Sequence, residues 1–221
     1  MIKTAKQINA VNNLEVQPEK LHPLFLQNEE VEGLSDPEKI EAIQYHFECI
    51  MKTLGLDLTN DSLQKTPERV ARMFVKEIFS GLDPRNYPEI NLFENSYGYD
   101  QMLVEKNITF YSHCEHHFVP IIGRAHVAYF PGKKVIGLSK INRIVQYFAK
   151  RPQVQERLTL EIAEDLKSAL QTVDVAVHIE ADHLCVSSRG IHDTNSATIT
   201  SHFGGRFEKM EFRQEFLSKL N

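Results

Sequence analysis

QMLVEKNITFYSHCEHHFVPIIGRAHVAYF, residues 101–130, decides how this chain folds. Its flanks, 101–112 and 118–130, are rich in Val, Ile, Phe and Tyr, residue types that suit a pleated, half-buried surface. They read as two strands, and Pro131-Gly132 closes the second with a turn. Downstream the period changes. A helix begins at Ser139, its N-cap, with Ile141, Ile144, Val145 and Phe148 on one face, and Arg151-Pro152 breaks it. A further helix carries Val154, Leu158, Ile162, Leu166 and Leu170 at a spacing of four. Strands return at 173–186 and near 195–203, and an amphipathic helix covers 207–220. The order strand, strand, helix, helix, strand, strand specifies an α+β fold, a four-stranded antiparallel sheet with its helices gathered on one face.

Upstream the pattern is helical. Ser35-Asp36-Pro37 is an N-cap followed by proline, and Ile40, Ile43, Phe47, Ile50 and Leu54 recur at helical spacing up to Gly55. A second helix starts at Thr66-Pro67-Glu68, carries Val70, Met73, Phe74 and Ile78, and stops at Gly81 by C-cap logic. Prolines and asparagines make 82–98 a connection. Residues 1–34 are polar and weakly patterned and read as a mobile arm. Residues 35–98 form a helical segment and 99–221 the catalytic part, with 34–221 as one globular unit.

With 221 residues, 42% of them hydrophobic and 25% charged, the chain can bury a sizeable core. A net charge of −5 argues against a nucleic-acid binder, and no apolar run approaches a membrane span. The start, MIKTAKQINAVNN, lacks the apolar core of a signal peptide, and three cysteines cannot all pair within one chain, so the expected compartment is the reducing cytoplasm. Cys49, among Ile43, Phe47 and Ile50, reads as a packed helix residue. His46, His126 and His178 read as ordinary surface or core residues.

The other two cysteines carry the chemistry. Ser112-His113-Cys114-Glu115-His116-His117 is answered some seventy residues later by His183-Leu184-Cys185. Cys114 and His117 are three apart, so one turn brings both side chains to the same side, while His116 points elsewhere. If the later strand stays regular, His183 and Cys185 share a side. Cys114, His117 and Cys185 thus form a three-ligand metal site, with His116 and His183 free for proton transfer. Structural zinc sites use four protein ligands, whereas catalytic ones use three and keep a position for water. A structural site would recruit His113, His116 or His183 as its fourth ligand.

Gly137-Leu138-Ser139-Lys140-Ile141-Asn142-Arg143 is the second informative stretch. A helix N-terminus with Lys140 and Arg143 in its first turn is a ready anion site, and Arg189 adds a cation just after the second cysteine. The alternative is a solvated charged face. Gln155-Glu156 would ordinarily face solvent on a helix, yet a carboxylate there can accept the paired donors of a flat heterocycle such as guanine.

Four ordered stretches together resemble one known family: Cys114-Glu115-His116-His117-Phe118-Val119-Pro120, Val135 through Arg143, Arg151-Pro152-Gln153-Val154-Gln155-Glu156-Arg157, and His183-Leu184-Cys185 with Arg189-Gly190-Ile191. Together with Thr66-Pro67-Glu68-Arg69-Val70 and Glu77 through Leu82, they resemble GTP cyclohydrolase I over about residues 36–220. The resemblance implies zinc on Cys114, His117 and Cys185, and hydrolysis of GTP to formate and 7,8-dihydroneopterin triphosphate, the first step toward tetrahydrofolate and other pterins. It implies proton transfer by His116 and His183, Ser139 beside the ribose, Glu156 on the guanine edge with Gln155 nearby, and Lys140, Arg143, Arg189, Arg69 and Arg72 on the triphosphate. It also implies the tunnelling fold (T-fold) and a homodecamer of two five-membered rings with active sites between subunits. His113 and His192 depart from the family pattern, which puts methionine and a longer polar residue there. Two other classes fit the same residues: a zinc-stabilised module without catalysis, and another enzyme of this fold acting on a pterin or deazapurine.

Overall fold

A computed structural model describes residues 34–220. Apart from Leu34, the expected N-terminal arm lies outside the described residues. Helix α1 spans Asp36–Thr53. Its N-terminus is a capping box, in which Ser35 N–H and Oγ both donate to the Glu38 carboxylate, at 2.7 and 2.6 Å. Its C-terminus closes on Gly55, whose φ of +79° costs a glycine nothing.

The stripe predicted for α1 does not become core: Met51 is its one buried residue, while Ile50 is 52% and Leu54 70% exposed. Cys49, expected to be packed, is exposed. Among the described residues the α1 stripe is therefore half-buried at Ile40, Ile43 and Phe47 and exposed at its C-terminal end. Helix α2, Thr66–Met73, runs into a π-helical turn, Phe74–Ile78, and a 3-10 turn, Ser80–Leu82.

Gly81 ends this run for a different reason from the one expected. Its φ is not left-handed. Instead its N–H donates to Lys150 O at 2.9 Å, and a Cβ would sit 2.1 Å from Tyr147 O. Only glycine lets the two backbones approach so closely.

Strands β1 (Leu92–Glu94) and β4 (Lys134–Ile136) form a small antiparallel pair inside what the sequence gives as connections. The main sheet has β2 (Leu103–Cys114), β3 (Pro120–Tyr129), β6 (Val175–His183) and β7 (Thr198–Phe203), antiparallel throughout. A fifth strand, β5 (Pro152–Gln153), joins parallel to the end of β2, giving the order β5-β2-β3-β6-β7. The expected count of four is therefore corrected to five. Two residues after a helix-breaking Arg-Pro are too few to show a period.

Helices α3 (Leu138–Ala149) and α4 (Gln155–Leu170) cover one face. Their Ile141, Ile144, Phe148, Leu158, Ile162 and Leu166 pack on Phe110, Ile121, Ala125, Val127, Val177 and Ile179. Each such buried side chain contributes about 1.5–3 kcal/mol over its exposed state.

One feature departs from helices on one face. A 3-10 turn, Gly205–Glu208, and helix α6, Met210–Ser218, bring Phe207 and Phe216 onto Ala128 and Ala176, whose odd-numbered neighbours face α3 and α4. The C-terminus thus covers one end of the opposite face. No helix among the described residues is long and apolar enough to cross a membrane.

Sheet register gathers the chemistry. Ile121 pairs with His183, and Cys114 with Gln153. The end of β2, the start of β3, β5, the N-terminus of α4 and the end of β6 therefore meet at one edge of the sheet.

Candidate metal centre

Beyond Cys114 the chain turns through Glu115–His117. Cys114 N–H donates to Val119 O at 2.9 Å, Phe118 N–H to Cys114 O at 2.8 Å, and Glu115 N–H to Gln153 O at 3.0 Å. The turn is thus hung between β3 and β5. Phe118 adopts a left-handed φ of +53°, unusual for an aromatic residue. Its ring packs on Phe79 at 5.1 Å and Phe74 at 6.5 Å, fastening the turn to the helical segment.

On the other side, β6 stops at His183 and a short helix, α5 (Leu184–Ser187), carries Cys185. The shared side of a regular strand is therefore replaced by a helical turn. Ser188 Oγ bonds Leu184 O at 2.6 Å and Ser187 Oγ bonds His183 O at 3.4 Å, hydroxyls offering the backbone a local alternative to the strand.

The ligating atoms of Cys114, His117 and Cys185 all lie within 4.8 Å of one another. Burial raises the pKa of the Cys185 thiol, and the nearby Cys114 raises it further. Two thiolates that close repel unless a cation lies between them. Two sulfurs and an imidazole nitrogen are a donor set for a borderline-soft divalent ion, so the residues fit a metal site.

His113 takes no part: it alternates with Cys114 along β2 and packs edge-on to Phe79 at 5.6 Å. Its Nδ1 is buried without a partner among the described residues, and burial holds its pKa below the usual imidazole value.

His116 is exposed, with Nδ1 3.7 Å from Cys114 Sγ and Nε2 3.8 Å from Glu115 Oε1. Glu115 is bonded by Arg157, whose Nε donates to Gln153 Oε1 at 3.0 Å. Gln153 in turn donates to Glu161, and Glu161 pairs with Arg151 at 3.3 Å.

His183 Nε2 lies 2.8 Å from Gln155 Oε1. Gln155, expected at the surface, is 2% exposed and donates to Thr198 O at 2.9 Å and to Ile179 O and Thr200 Oγ1, both at 3.2 Å. Burial lowers the His183 pKa, with the Glu156 and Asp182 carboxylates acting against it. Glu156 itself is exposed in the first turn of α4.

Arg189 Nη1 lies 3.2 Å from His117 Nε2. A guanidinium has no acceptor, so the imidazole accepts. That bond excludes metal ligation at either nitrogen. Ligation through Nε2 needs the same lone pair, and ligation of a neutral ring through Nδ1 puts a hydrogen on Nε2.

The remaining basic residues stand apart. Ser139 and Lys140 open α3, but its N-cap is Gly137, whose carbonyl accepts from Lys140 N–H at 2.8 Å, and no side chain caps it. Arg143 lines a cleft of about 560 Å³ between α3 and the helical segment, with Lys76, Asp83, Gln146 and Lys150. Arg69 and Arg72 are exposed on α2, Arg72 pairing with Glu68 at 2.9 Å. Among the described residues, no hydrogen bond or ion pair joins Ser139, Lys140, Arg143, Arg69 or Arg72 to the Cys–His–Cys group. Sequence reasoning passed over Glu115, Arg157, Thr159 and Thr200. Polar residues at 155 and 159, one turn apart beside the apolar stripe of α4, were the available signal.

Residues 43–221 match the family model described as GTP cyclohydrolase I. The chain is 59% identical over 192 residues to "GTP cyclohydrolase 1" of Flavobacterium johnsoniae, covering 87% of this chain and 86% of that one. It is 52% identical over 201 residues to the protein of that name from Aeromonas salmonicida, covering 86% and 92%, and 54% identical over 188 residues to that from Mannheimia succiniciproducens, covering 85% and 86%. The crystal structure of the archaeosine synthase QueF-Like in the apo form overlays with a TM-score of 0.39 at 16% identity, over 46% of this chain and 90% of that one, a likeness that adds nothing to the family match. By its family model and by relatives that align along most of its length, the chain belongs to the GTP cyclohydrolase I family.

Proposed function

We propose that this protein hydrolyses GTP to formate and 7,8-dihydroneopterin triphosphate, the entry to tetrahydrofolate and pterin synthesis. The observation that carries the reading is the convergence of Cys114, His117 and Cys185 beside His116 and His183. The three ligands would hold one Zn2+, which when bound acts as a Lewis acid and lowers the pKa of a water to about 7.

The chain's own residues supply the rest. His116 and His183 move protons at the purine imidazole ring and the ribose. The Glu156 carboxylate accepts the paired N–H donors of guanine, Ser139 serves the ribose, and Lys140, Arg143, Arg189, Arg69 and Arg72 hold the triphosphate.

Several of those residues have no tie to the metal group within one chain, which supports a site completed by a neighbouring subunit. The outer edge of β7 and most of that of β2 carry no strand among the described residues, and Tyr45, Ile50 and Leu54 of α1 are exposed. Free strand edges and apolar patches invite association, supporting the tunnelling fold closed into rings and stacked as a homodecamer. Three free thiols support a cytoplasmic setting.

The test is GTP with the zinc-loaded protein, with and without a chelator, assaying formate and the dihydropterin triphosphate by mass spectrometry. Equal amounts of both products are expected, and their loss with the metal. Intact GTP beside a fully metal-loaded oligomer sinks the assignment and favours a zinc-stabilised module.

A further inference from the structure

We infer that Gln155 is a positioning residue that fixes the proton of His183 on Nε2 and leaves Nδ1 as the nitrogen that exchanges protons. The inference rests on the proton-transfer role proposed for His183, and it goes further by naming the atom and the residues that set it.

Hydrogen-bond directions fix this arrangement. Thr198 O and Ile179 O are backbone carbonyls and can only accept, so the Gln155 amide must present its NH2 group to them. Turning the amide over would aim its oxygen at two other oxygens in a buried place, with no partner for any of them. Oε1 therefore faces His183, and an amide oxygen only accepts, so His183 Nε2 carries the hydrogen across the 2.8 Å contact. A neutral imidazole has one N–H, so the lone pair lies on Nδ1.

The next shell runs the same way. Thr159 Oγ1 meets Gln155 O at 2.9 Å and must donate to it. A hydroxyl has one hydrogen, so in the 2.7 Å contact between Thr159 and Thr200 it is Thr200 that donates. Thr200 Oγ1 is then free to accept from Gln155 Nε2, whose two hydrogens are shared among this hydroxyl and the two carbonyls. Every bond from the imidazole to the α4 backbone has one permitted sense, and Gln155 has no freedom to offer His183 a donor instead. Gln155 is 2% and Thr159 2% exposed, so water has little access to replace them.

The experiment has a structural and a kinetic arm, both on the full-length zinc-loaded enzyme. Protein labelled with 15N-histidine is studied by solid-state NMR, with the His183 signal identified by its loss in His183→Asn. The native ring is expected protonated on Nε2, and Gln155→Leu is expected to give a mixture of both tautomers. In turnover, Gln155→Leu should lower kcat by about 10- to 100-fold with KM little changed, the size typical of losing a residue that orients a functional histidine. Gln155→Glu, as a buried neutral acid able to accept from His183 and donate to Thr198 O, should recover much of that loss. Thr200→Val leaves both carbonyl anchors and should fall less than Gln155→Leu.

A native His183 protonated on Nδ1 overturns the inference, as does a Gln155→Leu enzyme whose KM rises while kcat holds, the mark of a direct substrate contact. If Gln155→Leu does not fold, the native spectrum still decides, since protonation on Nδ1 overturns the inference. If GTP proves not to be the substrate, the NMR arm stands alone, so that failure is told apart from this one.

Discussion

Asp165 gives the sharpest test of the packing behind the site. Its carboxyl is 2% exposed on the inner side of α4, and Tyr87 O–H donates to its two oxygens at 3.0 and 2.9 Å. Burial raises its pKa from 3.8 to about 6, against the Tyr87 hydrogen bond and then the Arg151 charge, which pull it down. The folded chain therefore keeps a proton that the unfolded chain has lost, over the interval from about pH 4 to about pH 6. Stability falls with pH wherever the native state binds more protons. The contribution is complete below the unfolded value, is lost as pH rises to about 6, and is flat beyond. At about 1.4 kcal/mol per tenfold change in proton affinity, the loss is on the order of 3 kcal/mol. Asp165→Asn has no proton to lose. Its amide keeps an acceptor for Tyr87 but buries a donor, at about 1–3 kcal/mol, so at neutral pH the two proteins should be similar in stability. The slope is what separates them. Urea unfolding of both proteins at one oligomer concentration, from pH 4.5 to 7.5, should show the wild type losing about 2 kcal/mol relative to the variant. Tyr87→Phe, which removes a bond that lowers the Asp165 pKa, should move the transition to higher pH. A wild-type-minus-variant difference that does not change with pH refutes the reasoning.

The other expectations are simpler. Cys185→Ala should lose bound metal and turnover together, read by elemental analysis and formate release; full metal content in the variant would remove Cys185 from the ligand set. Arg189→Ala should bind zinc about fivefold more tightly in competition with a chromophoric chelator, since its bond to His117, worth roughly 1 kcal/mol, must break on ligation; weaker binding would contradict the lone-pair argument. Gly81→Ala, whose Cβ would meet Tyr147 O at 2.1 Å and Lys150 O at 2.7 Å, should lose about 1–3 kcal/mol and several degrees of Tm. His113→Leu, which removes a buried unpartnered nitrogen, should match or exceed the wild type in stability with unchanged metal content.

What the sequence made legible were the features fixed by period and spacing. The β-favouring residues of 101–112 and 118–130, the four-residue stripe of α4, the Ser35 cap and the Cys114–His117 turn all depend on residues close in the chain, and the structure has two strands, the helix, the cap and the turn there. What it hid were features fixed by partners. Gly81 has a glycine's usual look at a helix end, but the constraint is the carbonyl of Tyr147 from another helix. Ile50 and Leu54 have core spacing, but no element among the described residues buries them. Ser139 has the chemistry of an N-cap, yet Gly137, tied to Asn91 O at 3.2 Å, starts the helix two residues earlier. Cys185 sits two residues past His183, and parity placed both on one side only until the strand gave way to a helix. Gln155 reads as surface because glutamine is usually there. Its burial follows from two carbonyls and a threonine that only the sheet register brings to it.

The register of β2, which places Cys114, depends on a single residue far from the metal. Before Glu105, β2 and β3 pair so that residue numbers sum to 232, as in Glu105↔Val127; from Ile108↔Ala125 onward they sum to 233. One residue is therefore extra on β2, which makes this a β-bulge. Asn107 carries it, with a φ of +61° that asparagine tolerates better than most residues. Its N–H is bonded by Nδ1 of His126 at 3.3 Å, which pins the bulge from the neighbouring strand. Because side chains alternate faces with a period of two, the strand on either side of the bulge would change face if it were closed. Leu103 and Phe110 could not then both face the α3–α4 core, and Cys114, four residues beyond Phe110, could not stand on that side opposite Cys185 while Leu103 stayed packed. His126, an ordinary buried histidine by sequence, thus holds the count that brings the two sulfurs together.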